Sequence, residues 1–492
     1  MNDKHYIACD LGAESGRVIL GTLSGGTLRL EEVHRFPNLP VNIQGSMRWN
    51  ILGIFQELKA GLQKVADRQL PIDGLSVDSW GLDYVLFNDE TPMLSLPHHY
   101  RDSRTDSTYV KVLEKVGREA IFAETGIQFM SINTLYQLVA EVEQNPKLVA
   151  CADQFLNIAE YFHYLFCGVA RAEASMASTT QIYNPVTRSW SAELIRQLQL
   201  PESLFPRIVP SGTRLGPLTP EICAETGLSE IEVIATCAHD TGAAVAAVPA
   251  EGDDWAYLSS GTWSLIGVEL PAPLLTDAAR AHNFTNEVGF GGTSRFLKNI
   301  IGLWLLQESR RAWAREGLEL DYDEITRLAA EAEAFRSLID PNDPRFLKPE
   351  SMPAEIAVYC HETAQPAPET PGQFARCILE SLALLYGQSL QTIQELTERT
   401  ITKLHVVGGG SQSKLLNQFA ANATGRTVLA GPVEATAIGN VLLQSIALGE
   451  LDTLVQLRSV VRNSFSIETY EPQSPGAWRQ AAARFAKLEL KR

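Results

Sequence analysis

The chain has 492 residues, 45% of them hydrophobic and 20% charged, which excludes general disorder and exceeds what one compact core usually serves, so two domains are expected. Lys plus Arg number 41 against 58 Asp plus Glu, a formal net charge of −17. That sign argues against a nucleic-acid partner and a polybasic membrane anchor, but a few local donors can still hold a small anion.

No uninterrupted apolar run reaches the roughly 18 residues of a membrane span, and Asp3, Lys4 and Asp10 break any leader-like stretch. The seven cysteines form no C-x-x-C pair, which suits reduced thiols in the cytoplasm rather than a disulfide framework or a zinc site. Cys360 and Cys377 are read as buried free thiols, and His361-Glu362 lacks the second histidine that a metalloprotease helix requires.

Along the chain, Tyr6-Ile7-Ala8-Cys9 is a short apolar strand ending at Asp10. A turn through Leu11, Gly12, Ala13, Glu14, Ser15 and Gly16 leads to a second strand at Arg17-Val18-Ile19-Leu20. A P-loop or a dinucleotide-binding turn would lead into a helix instead. The same layout returns where Ala256-Tyr257-Leu258 reaches Ser259-Ser260-Gly261-Thr262 and Trp263 to Val268 runs back. Pro249 to Asp254 has hinge composition, so the boundary is set there, giving domains 1–248 and 249–492.

In the second half Leu297 to Gln307 reads as a mostly buried helix, and Ile339 to Pro371, with seven prolines, as an irregular but packed excursion. Gln373 to Leu396 reads as a helix, Leu404 to Val407 as a strand entering Gly408-Gly409-Gly410, and Lys414 to Ala423 as a helix. Thr427 to Leu429 is a strand and Ala435 to Leu448 a helix. Strands alternating with helices make the fold class α/β.

Several segments carry groups suited to chemistry. Backbone N–H groups in a turn of small residues converge on phosphate oxygens, and a glycine lets the ligand come close. Asp10 is suited to a magnesium ion and Arg17 to phosphate charge. A tight polar hairpin explains either turn alone; two matching turns favour a phosphate clamp. Gly408 to Ser411 suits the close approach of an adenine or a ribose, though an ordinary strand-to-helix turn would read the same.

Ala238-His239-Asp240-Thr241-Gly242 opens a helix. Asp240 there is either a plain N-terminal cap or a base for a substrate hydroxyl, kept ionised by the helix N-terminus. Asp78 to Asp83, Tyr100 to Arg104 and Gln128 to Tyr136 combine aromatic faces with planar hydrogen-bonding groups, as a polyol site requires, although core packing and surface pairing explain each of them too. Asn299 and Gln307 are amides in an apolar segment and need partners.

The runs D-L-G-A-E-S-G-R (10–17), D-S-W-G-L-D (78–83), Y-R-D-S-R-T (100–105) and N-T-L-Y-Q-L (133–138) together resemble the FGGY carbohydrate kinases. So do A-H-D-T (238–241), Y-L-S-S-G-T-W-S-L (257–265), L-K-N-I-I-G-L-W-L-L-Q (297–307) and H-V-V-G-G-G (405–410). The resemblance runs from Tyr6 to about Leu448. It implies an actin-like fold, two ribonuclease-H-like domains around a central cleft, the first carrying sugar and phosphate contacts and the catalytic Asp, the second the nucleotide. It also implies transfer of the ATP γ-phosphoryl group to the 1-hydroxyl of L-rhamnulose in L-rhamnose breakdown, with Mg2+ as cofactor.

By the same resemblance Asp240 is the proton acceptor, and Gly81, His239, Asp240, Thr241 and Asn299 contact the sugar. Ala13, Glu14, Ser15, Gly16 and Arg17, with Thr262, Gln307 and Gly409, contact ATP, and Asp10 lies near the magnesium ion. Glu14 stands where many members carry a small hydroxyl residue, so only its backbone is expected to contribute. Closure about the Pro249–Asp254 hinge is expected to exclude water. L-fuculose or D-xylulose is an alternative acceptor. From other classes, an actin-like ATPase acting on a partner and a non-catalytic sugar sensor are kept, and both fit the intact polyol and phosphate residues less well. The oligomeric state is left open.

Overall fold

The apolar run Tyr6 to Cys9 is buried on both faces and forms the centre of a sheet. The structure, a computed structural model, describes residues 3–489. The chain divides into two units: Met1–Pro249 with Glu269–Phe296 and Ala435–Ser464, and Ala250–Val268 with Leu297–Glu434 and Phe465–Arg492.

In the first unit, β1 (Lys4–Leu11), β2 (Ser15–Ser24) and β3 (Thr27–Pro37) form an antiparallel meander. Beyond β1 lie β4 (Gly74–Ser79), β6 (Glu232–Ala235) and β5 (Thr213–Pro217), giving the order β5-β6-β4-β1-β2-β3. β4 is parallel to both β1 and β6. Helix Asp240–Ala246 follows β6 and packs on helix Ala435–Ala447, where a Cβ on Gly439 would sit 1.9 Å from the Ala243 carbonyl oxygen. Only glycine lets the two helix backbones approach this closely. Gln444 of the same helix donates to the Ile7 carbonyl at 2.9 Å, fixing it across β1.

The second unit repeats the plan. β7 (Trp255–Ser260) and β8 (Trp263–Leu270) form an antiparallel hairpin, and β7 is parallel to β10 (Lys403–Val407), which is parallel to β11 (Thr427–Ala430). With β9 (Ser294–Ile301) and β12 (Glu468–Tyr470) six strands of this seven-stranded sheet run in the order β9-β8-β7-β10-β11-β12. The 27-residue helix Pro371–Thr397 spans the unit, its Tyr386 hydroxyl 2.7 Å from Ser264 Oγ.

Two sequence expectations are corrected. Leu297 to Gln307 is not one helix: β9 runs to Ile301, and helix Trp304–Arg315 starts after Gly302. A Cβ on Gly302 would lie 2.5 Å from Ser264 Oγ, so the chain there is pressed against β8 and cannot coil. The proline-rich excursion contains a regular helix, Met352–Glu362, with Pro353 in its first turn, where no hydrogen bond is lost. Within the excursion Phe346 and Tyr359 pack at 5.8 Å, as expected of an ordered segment. All seven cysteines are free, and the Cys360 and Cys377 thiols lie within hydrogen-bonding reach of one another. Among the described residues no helix is long and apolar enough to cross a membrane.

Candidate active site

In the first unit, polar side chains gather where β1, β4 and the chain leaving β6 end. Asp10 pairs with Asp78 across the parallel β1–β4 register, and Asp10 faces Arg17 across the β1–β2 hairpin. Arg17 Nη2 donates to Asp10 Oδ2 at 2.5 Å. Asp78 is fully buried and accepts from Asn440 Nδ2 at 2.6 Å. Loss of water, then the neighbouring Asp10 charge, pushes the Asp78 carboxyl well above the usual carboxylate range.

The turn between β1 and β2 is tighter than the sequence suggested: Leu11 closes β1, Ser15 and Gly16 already belong to β2, and only Gly12 to Glu14 form the loop. The Gly12 N–H donates to the Ser15 carbonyl at 2.9 Å. From outside, Asn38 donates its backbone N–H to Glu14 O and its side-chain amide to Gly12 O.

Asp240 is the first residue of its helix, with His239 as the cap. Its Oδ1 accepts from the Thr241 N–H at 2.5 Å and from Thr241 Oγ1 at 3.1 Å, and lies 3.4 Å from His239 Nε2. Among the described residues no donor reaches Oδ2, and 32% of the side chain is exposed. The sequence places this carboxyl at a helix start expected to hold it down; the net shift runs the other way. Desolvation raises its pKa; His239 and the Thr241 hydrogen bonds oppose that, the Asp10 charge adds to it, and the net shift is upward.

His239 Nδ1 faces the fully buried Arg295 (Nη2 at 3.2 Å) and Glu287 (Oε2 at 3.3 Å). Sequence reasoning missed both residues: Glu287 sits in the polar run Thr285-Asn286-Glu287 and Arg295 in a strand that also carries Lys298, so residue type alone singled out neither.

Gly81 lies against Thr179, whose Oγ1 would be 3.0 Å from an added Cβ. The polar groups beside it serve the fold. Asp83, fully buried, accepts from Trp49 Nε1 (2.6 Å), Gln137 Nε2 (2.9 Å), Trp80 Nε1 (3.1 Å) and the Tyr100 N–H (3.1 Å). Burial still pushes its carboxyl up to about 6. Asp102 accepts from the Met47 and Arg104 N–H groups, and the Asn133 amide donates to Gln128 O and Gln181 Oε1. Trp80 packs against Trp49 with the rings tilted by 38° and their centres 4.2 Å apart.

In the second unit, Thr262 sits in the β7–β8 turn, and its carbonyl accepts from the Gly302 N–H (3.1 Å) and the Trp304 N–H (3.2 Å), docking the start of the Trp304–Arg315 helix. Gln307 lies one turn on, its buried Oε1 without a hydrogen-bond partner among the described residues. Asn299 is on β9. The Gly408–Gly410 turn follows β10 beside the end of β7, where Gly408 has φ +84° and a Cβ on Gly410 would fall 2.0 Å from Ser260 Oγ. Among the described residues nothing lies within 4 Å of a Cβ built on Gly409. This unit thus offers an open glycine face, a small-residue turn and an unsatisfied amide oxygen.

The first unit therefore gathers Asp10, Ala13 to Arg17, Gly81, His239, Asp240 and Thr241, and the second Thr262, Asn299, Gln307 and Gly409. Two sheets built on one plan define the actin-like ATPase fold of sugar kinases. A solved xylulose kinase from Lactobacillus acidophilus superposes with a TM-score of 0.80 at 17% identity, covering 99% of this chain and 96% of that one. Plasmodium falciparum glycerol kinase with ADP gives 0.78 at 13% identity, covering 99% and 98%.

The N-terminal-domain model of the FGGY family of carbohydrate kinases matches residues 5–247 and the C-terminal-domain model residues 256–448. The rhamnulokinase of Bacteroides thetaiotaomicron is 43% identical over 482 residues, 98% of this chain and 99% of that one. That of Bacillus subtilis is 40% identical over 470 residues, 95% of each chain. The chain belongs to the FGGY family of carbohydrate kinases and is an ATP-dependent sugar kinase.

Proposed function

We propose that this kinase transfers the ATP γ-phosphoryl group to the 1-hydroxyl of L-rhamnulose, giving L-rhamnulose 1-phosphate and ADP, in L-rhamnose breakdown. The observation that carries the reading is identity of 40–43% to rhamnulokinases over almost the whole chain. A cytoplasmic setting accords with ATP as donor and with seven free cysteines.

In the proposed site Asp240 accepts the proton of the attacking hydroxyl. Its Oδ1 is engaged by Thr241 and His239, which leaves Oδ2 for the substrate. Phosphoryl transfer passes through a loose transition state, so the base need act only late, and a carboxylate suffices. His239, Thr241, Gly81 and Asn299 orient the ketose hydroxyls. Ala13 to Arg17 and Thr262 meet the ATP phosphates, the Gln307 oxygen finds its missing partner on the nucleotide, and Gly409 gives the nucleotide room. The Glu14 side chain takes no part.

Among the described residues no three His, Cys, Asp or Glu side chains are arranged to hold a metal by themselves. A nucleotide-borne magnesium ion needs only one or two protein carboxylates, and Asp10, a hard oxygen ligand near the phosphate turn, fits that requirement. When bound it offsets charge on the phosphoryl oxygens.

ADP release over a panel of L-rhamnulose, L-fuculose, D-xylulose and glycerol, followed by locating the phosphate on the product, tests the proposal. The expected outcome is the highest kcat/KM with L-rhamnulose and phosphate on O1. A preference for another ketose, or ADP release independent of sugar, overturns it.

A further inference from the structure

Asp240 acts as a base only if its carboxylate is held in place, and the two residues before it are anchored at all four backbone polar groups. The Ala238 carbonyl accepts from the Ser79 N–H at 2.9 Å, at the end of β4. The Ala238 N–H donates to Glu173 Oε2 at 3.0 Å, and the His239 N–H donates to Ser175 Oγ at 3.3 Å. The His239 carbonyl accepts from the Gly242 and Ala243 N–H groups. Two of these four anchors lead back to Glu173.

Glu173 is fully buried, and each of its side-chain contacts uses it as an acceptor. Besides Ala238 it takes the Ser175 N–H (3.0 Å), Ser175 Oγ (2.5 Å), the Met176 N–H (3.2 Å) and Ser211 Oγ. Ser175 Oγ therefore donates to Glu173 while accepting from His239, extending the same anchor by one residue. Glu173 is itself fixed, because its N–H donates to Glu160 Oε1 at 2.5 Å and its strand pairs with Ile208–Val209. Ser175 also lies beside the Asp240 helix: a Cβ built on Gly242 would be in ordinary van der Waals contact with Ser175 Cβ and Oγ, at 3.5 Å.

We propose that Glu173 is a positioning residue for phosphoryl transfer, holding the Ala238–His239 backbone through its own carboxylate and through Ser175 so that Asp240 Oδ2 meets the ketose hydroxyl. This rests on Asp240 being the base. An amide at position 173 presents one acceptor oxygen and two N–H donors to five donors, so it cannot keep the network even though it keeps the shape. Displacement of a reacting group by about 1 Å costs on the order of a hundredfold in rate.

The test compares Glu173→Gln, Ser175→Ala and Asp240→Asn in the full chain by coupled ADP release with L-rhamnulose and MgATP, normalised to folded protein by circular dichroism. Glu173→Gln is expected to lower kcat by about tenfold or more with KM for MgATP within about twofold. Ser175→Ala, which leaves the Glu173 carboxylate in place, is expected to lower kcat by about threefold or more in the same pattern, and it carries the test if Glu173→Gln does not fold. A purely structural role predicts loss of melting temperature with kcat per folded molecule preserved, and that result overturns the inference. Turnover lost in Asp240→Asn but kept in the other two variants overturns it alone; turnover kept in Asp240→Asn removes the base assignment and this inference with it.

Discussion

Arg17 Nη2 and Asp10 Oδ2 lie 2.5 Å apart across the β1–β2 hairpin, with side chains only 17% and 8% exposed. The pair joins the residue proposed for phosphate to the residue proposed for the metal. Removing one partner of such a pair leaves the other charge poorly solvated beside the buried Asp78.

Arg17→Ala is expected to destabilise the protein by about 2–4 kcal/mol, somewhat below the roughly 3–5 kcal/mol for breaking a fully buried pair because this one is partly exposed. It is also expected to raise KM for MgATP while leaving KM for the sugar nearly unchanged. Urea unfolding and steady-state kinetics read the two effects separately. Stability within about 0.5 kcal/mol of the parent would mean that the pair carries no weight.

Adjacent glycines make a second contrast. Gly410→Ala forces a methyl to within 2.0 Å of Ser260 Oγ, so the melting temperature should fall and nucleotide binding weaken. Gly409→Ala meets nothing within 4 Å among the described residues. It should melt within about 2 °C of the parent yet bind ADP about tenfold more weakly, if the nucleotide takes that open face. Calorimetric titration with ADP decides it; parent-like affinity in Gly409→Ala removes position 409 from the nucleotide site.

Buried titratable groups set a pH dependence of stability. Burial pushes the Glu160 carboxyl from 4.5 up to about 8, with the Glu173 charge adding to the shift. The folded chain thus keeps a proton that the unfolded chain has released between those values. Its stabilising contribution is full below pH 4.5 and is lost as the pH rises to about 8. His163 runs the other way. Its Nε2 accepts the Val77 N–H, and burial lowers it from 6.5 to about 3, so its contribution is present above pH 6.5 and lost as the pH falls. Urea unfolding between pH 7 and 8, where His163 adds little slope, should show stability declining with pH in the parent and less steeply in Glu160→Gln. Equal slopes would contradict this.

Much of the plan was legible from local pattern. The two hairpins, the helix after Asp240, the strand entering Gly408 and the helix beyond it follow from apolar periodicity and from small-residue turns. Residues 297–307 misled because a short apolar run has no period that separates helix from strand; only Gly302 marked the break. The helix Met352–Glu362 was hidden by prolines that sit where a helix tolerates them. Within the site, Asp10 and Asp240 stand at strand and helix ends, where sequence singles them out. Glu173, Glu287 and Arg295 do not, because their partners are distant in sequence and pairing leaves no local trace. Asp83 looked suited to a sugar and is instead saturated by four protein donors, a difference of partners that residue type alone cannot reveal.

Asp240→Asn tests the account most directly, by single-turnover transfer from γ-labelled MgATP to L-rhamnulose alongside nucleotide affinity. The amide keeps size and the Thr241 hydrogen bonds through its oxygen but cannot take the proton. The account predicts MgATP affinity within about twofold of the parent and phosphoryl transfer lowered by about a hundredfold or more. Transfer at the parent rate would show that another group receives the proton.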